Sequence, residues 1–154
     1  MQQYVLKRLI CSLPLMATAV LAPPSTAAEP QDIIKYRQAV MKSQGGHMGA
    51  AAQIIKGKVD FGGDLQYHAT ALAASSTGLA KLFPKGSDFG ETRAKTEIWT
   101  NAAEFEKASK DAENKASAFL AAAKSNDTAA IAKTFGDLSE TCKGCHKKFR
   151  EKKE

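Results

Sequence analysis

Beyond residue 30, apolar positions fall at helical spacing along most of the chain. From about Gln31 to Lys56, two adjacent rows repeat every seven residues. One is Ile33, Val40, His47 and Ile54; the other is Ile34, Met41, Met48 and Ile55. Rows of this kind hold one helix face against its neighbours. Pro30 suits a first helical turn, and Gly57 marks a stop. Gly45-Gly46 is an expected weak point, costing about 1 kcal/mol per glycine relative to alanine. A second segment, about Asp64 to Lys81, begins near an Asp cap and carries Leu65, Leu72 and Leu79 at the same interval. A third, about Thr96 to Lys124, offers Ile98, Trp99, Ala102, Phe105, Ala112, Phe119 and Leu120 for burial. Ser125-Asn126-Asp127 then reads as a stop and a new cap. The fourth, Asp127 to about Lys152, has the stripe Ile131, Phe135, Leu138, Cys142, Cys145 and Phe149. No β-branched run of period two appears.

Two connections are short. The third, residues 82–95, reads LFPKGSDFGETRAK. Short links favour antiparallel neighbours, so the predicted fold is all-α: an antiparallel, up-down-up-down four-helix bundle.

The first residues follow a different pattern. Lys7 and Arg8 precede an apolar run from Leu9 to about Ala22, and the small-residue segment STAA follows. That is the layout of a secretory signal peptide, predicted to span residues 1–28 and to be cleaved after Ala28. The apolar run is about 14 residues long and broken by Pro14, short of the ~20 a spanning helix needs. Residues 29–154 then form one small domain. Cys11 lies in the leader and is given no role.

Charge adds little. The chain carries a formal +6, and losing one lysine and one arginine with the leader brings it to about +4. A mild positive balance suits weak steering toward acidic partners. The lysines are scattered and lack an aromatic stacking set, so no nucleic-acid interface is expected. Export implies an oxidising compartment, yet the two remaining cysteines are too few and too close for a disulfide scaffold.

Those cysteines lie in TCKGCHKKFR, residues 141–150. On a helix, Cys145 stands about 300° from Cys142, and His146 about 40°. All three side chains share one face. C-x-x-C-H is the attachment pattern of a c-type haem: two thioether anchors and one axial ligand must match one side of a porphyrin. The competing chemistries have further requirements. Structural zinc wants four ligands, and only His47 and His68 remain to help. A thioredoxin-like pair belongs at a helix start after a strand. A plain disulfide leaves His146 without a purpose.

With His146 as the proximal ligand, the other axial position decides between electron transfer and an open gas-binding site. Methionine is the usual partner in electron carriers. Outside the leader only Met41 and Met48 are available, and core filling is the alternative role for both. In antiparallel neighbours, His146 lies about 9 Å from the end of its helix; Met41 lies about 15 Å and Met48 about 26 Å from the start of theirs. Met41 is therefore nearer the level of the iron. His47 and His68 are expected to be half-exposed or core-edge residues.

The chain resembles the class II cytochromes c, the cytochrome c′ family, from about Asp32 to Arg150. The matching pieces are KYRQ (35–38), KG (56–57), LFP (82–84), EIW (97–99) and CKGCHKKFR (142–150). The resemblance implies one covalent haem c held by Cys142 and Cys145, with His146 on the iron. It most resembles the low-spin cytochrome c-556 branch, in which a methionine, here Met41, takes the sixth position. It also implies Arg37 near a haem propionate and Trp99 at the haem edge, with Arg150 one turn beyond His146. The expectation is a non-enzymatic, periplasmic electron carrier that serves periplasmic redox proteins and is a monomer or homodimer. The alternative is a five-coordinate cytochrome c′ that binds NO or CO.

Overall fold

The computed structural model describes residues 28–152. The expected leader falls almost wholly outside them. Five α-helices account for most of the described residues: α1 Pro30–Ile55, α2 Leu65–Ser76, α3 Glu97–Thr100, α4 Ala102–Ser125 and α5 Thr128–Phe149. The four long ones form the predicted antiparallel bundle; α3 is a single turn that leads into α4.

Local chemistry sets the ends. Pro30 occupies the first turn of α1. At its other end Gly57 adopts a left-handed φ of 62°. Its N–H donates to Ile54 O, and the Lys58 N–H donates to Gln53 O. That pair of bonds is a Schellman stop. The Asp127 side chain caps α5, accepting from the N–H groups of Ala129 and Ala130 at 3.0 Å each. Asp64 precedes α2, but its side chain makes no cap bond.

Three predicted features differ. Gly45-Gly46 does not interrupt α1, because tertiary packing outweighs the propensity loss. The second segment stops at Ser76, since Thr77 is extended and Gly78 is left-handed (φ 64°). A 3-10 turn, Leu79–Leu82, then keeps Leu79 buried. The third segment breaks at Asn101 (φ −119°, ψ 49°), which separates α3 from α4.

Two apolar clusters hold the bundle. One joins Ala51, Ala69, Leu72, Ala116, Phe119 and Leu138, with Ile131 at its end. Its many alanines let the helices approach closely. The other joins Ile98, Phe105 and Phe149 near the C-terminal end of α5. Seams α1/α2, α2/α4 and α4/α5 are well packed, while α1 and α5 meet least closely.

Candidate haem site

The open α1/α5 seam is a cavity of about 670 Å³. Helical spacing explains its walls. On α1, Arg37, Met41, Gln44 and Met48 form one stripe; on α5, Cys142, Cys145, His146 and Phe149 form another. Leu79, Phe83, Ile98, Phe105 and Ala112 complete an apolar lining. Five cationic residues, Arg37, Lys42, Arg93, Lys143 and Arg150, also line it, and among the described residues no carboxylate does.

The structure therefore brings Cys142, Cys145, His146, Met41 and Arg37 to one cavity. Met48 lines it too, because the opening runs along the seam rather than sitting at one depth. His47 does not line it. Trp99 is not among the lining residues either; its neighbour Ile98 is. The Trp99 indole donates to Phe83 O and Pro84 O at 3.1 Å. It packs against Phe83, which does face the cavity.

Arg37 is not a solvated surface residue: it is 2% exposed. Its guanidinium donates to Ser87 Oγ and Ser87 O, both at 2.7 Å, and to Thr92 Oγ1 at 2.8 Å. It also sits 4.8 Å from the Phe83 ring centroid. Burial pushes its pKa down, with Asp88 acting in the opposite direction. An arginine stays charged here. Three of its five N–H donors are used, which leaves two for another acceptor.

These bonds fasten the long connection across the mouth of the cavity. Gln38 adds a bond to Glu91 O at 2.7 Å. On the other side, Ala94 and Arg150 form an isolated antiparallel bridge. The Lys95 N–H donates to Phe149 O (3.1 Å) and the Glu151 N–H to Arg93 O (2.8 Å). Residues 87–95 thus form a strap from α1 to α5. Sequence reasoning missed Ser87, Thr92 and Arg93, since short polar residues in a Gly/Pro-rich loop carry no periodic signal.

The thiols are unpaired and half-buried. Burial pushes both pKa values up; Cys142 pushes Cys145 further, while Arg150 opposes. A thioredoxin-like pair needs a lowered value, so these are not primed thiolates. Among the described residues no group of three or more His, Cys, Asp or Glu could hold a metal ion. A zinc site is therefore unsupported. Burial, then Arg150 and Arg93, lowers the His146 pKa. A lowered value favours the neutral imidazole, the form that can ligate a metal.

An apolar slot with two thiols and a neutral imidazole on one helical face, and cations without carboxylates around it, fits a large flat amphiphile with acidic groups. A c-type haem is such a molecule, so the residues present fit the group.

The family profile described as Cytochrome C' matches residues 32–150. The cytochrome c′ of Pararhodospirillum photometricum is 37% identical over 80% of this chain and 100% of that protein. A cytochrome c-556 of Agrobacterium fabrum is 31% identical over 78% of this chain and 82% of that protein. A nitric oxide complex of a cytochrome c prime variant from Alcaligenes xylosoxidans superposes with a TM-score of 0.76 at 29% identity, covering 83% of this chain and 100% of that one.

Proposed function

Because the chain belongs to the cytochrome c′ family, the class II cytochromes c, with its one covalently attached haem c, we propose that it is an exported electron-transfer protein with His146 and Met41 on the iron. The haem supplies a one-electron Fe(III)/Fe(II) couple when bound. Cys142 and Cys145 hold it by thioether bonds. His146 ligates through a neutral imidazole. Arg37 offers its two remaining N–H donors to a haem carboxylate, and Arg93 and Arg150 add positive charge nearby. Leu79, Phe83, Ile98 and Phe105 exclude water. Trp99 supports Phe83 from behind. The working compartment is the periplasm, and the partners are redox proteins there.

The observation that carries this reading is Met41, placed on α1 in the wall shared with His146. Its thioether is a ligand that stabilises the reduced state and favours electron carriage over gas capture. A cytochrome c-556 is among the relatives at 31% identity, below the 37% of a cytochrome c′, so the branch rests on Met41 rather than on likeness.

A second reading is favoured by the nitric oxide complex of the Alcaligenes protein. In it Met41 only fills the wall, and the distal side admits NO or CO. Optical spectra of the mature protein in both oxidation states separate the two. A ferric methionine–sulfur charge-transfer band and a low-spin ferrous spectrum are expected. A high-spin spectrum that Met41→Ala leaves unchanged would overturn the first reading in favour of the second.

A further inference from the structure

Away from the cavity, α1 and α2 carry a side-chain pair that haem chemistry does not use. His47 on α1 and His68 on α2 bring Nδ1 to Nδ1 at 3.0 Å. The ring centroids are 5.3 Å apart, so the two nitrogens face each other nearly head-on. As the rings stand, one N–H donates into the lone pair of the other. Tyr67 packs edge-on against both rings. Both histidines are half-buried, and Gly46 and Gly49 beside His47 have open space where a Cβ would stand.

We propose that His47 and His68 form a two-imidazole chelate for a divalent transition-metal ion, Cu(II) foremost, independent of the haem iron. Two imidazole nitrogens at 2.0–2.1 Å from one ion, with an N–metal–N angle of about 90–110°, stand about 2.8–3.4 Å apart. The observed separation lies within that span. Moving the shared proton to Nε2 leaves two lone pairs directed into the same gap, where they repel until a cation is present. The terminal ring torsion of histidine is broad, so each ring can pivot until both lone pairs converge on one ion. The packed α1/α2 seam fixes both backbones, and little ordering remains for binding. Water completes the coordination on the open side. Two protein nitrogens plus water oxygens suit tetragonal Cu(II) better than zinc, whose structural sites take four protein ligands. Protonated imidazoles cannot ligate, so acid competes with the metal.

Titration of the haem-loaded protein with Cu(II), followed by electron paramagnetic resonance, tests the site. One equivalent should bind, with hyperfine splitting from two nitrogens. His47→Asn or His68→Asn should each weaken binding about 100-fold by removing the chelate. An unchanged helical circular dichroism and Soret band would show that each variant is folded and loaded. Zn(II) should bind more weakly than Cu(II). Equal copper binding in parent and variants, or tighter zinc than copper, would overturn the proposal and leave the pair as a hydrogen bond alone.

Discussion

Arg37 and Ser87 stand fifty positions apart in sequence and are joined twice, at the Ser87 hydroxyl and at its carbonyl. Ser87 is 1% exposed, so its backbone oxygen depends on that guanidinium rather than on water. Replacing Arg37 with Gln should cost about 2–4 kcal/mol, mainly by stranding the buried acceptors. Lysine should recover only part of this, because it lacks the planar fork. Urea denaturation measures the loss, and faster amide exchange across residues 87–95 would localise it. Unchanged exchange in Arg37→Gln would show that the strap is held by other means.

Met41 and Met48 line one cavity but have different expected consequences. Met41→Ala should abolish the ferric sulfur band and make the iron high-spin. Met48→Ala should leave the spectrum intact and cost about 2–4 kcal/mol, since Met48 also packs against the larger core cluster. If the two variants exchange these spectra, Met48 is the ligand.

Covalent retention reports on the thiols. Cys142→Ala or Cys145→Ala should each leave haem attached through one bond. The double variant should release all haem on acid-acetone extraction. Haem that survives extraction from the double variant would place the anchor elsewhere.

Asp137 gives a pH-dependent test. Its carboxylate accepts from Lys133 at 2.9 Å and from Lys115 of α4 at 3.2 Å. Lys133 first, then Lys115, holds its pKa below the usual carboxylate range. A depressed folded-state value gives stability that is fully present above the unfolded value of about 3.9 and is lost as pH falls through the folded one. The urea midpoint should therefore decline less steeply below about pH 4 in Asp137→Asn than in the parent. Parallel declines would mean that the ion pairs contribute nothing measurable.

Much of this was legible in the residues. Pro30, Gly57 and Asp127 punctuate α1 and α5 at positions that the backbone follows. The stripes of those helices put the thiols, His146, Met41 and Arg37 on facing surfaces. Other features escaped. Leu79 keeps the seven-residue interval after Leu72, so periodicity runs straight through Gly78, where the helix ends. The break at Asn101 has no Gly or Pro to announce it. Residue spacing along a helix gives height, but it does not say how far a cavity extends along a seam; Met48 shows the difference. The partners of Arg37 were hidden because they belong to an irregular loop.

The strap has a mechanical consequence. It is tied to α1 by side-chain bonds and to the last turn of α5 by backbone bonds, so it acts as a crosspiece between walls that scarcely touch. A shift of α1 must stretch a bond to Ser87, Thr92 or Glu91, or be handed on through Ala94 to the turn that carries His146. With His146 and Met41 on the iron as proposed, the strap would couple its two faces in series, so that a ligand displacing one would be felt by the other.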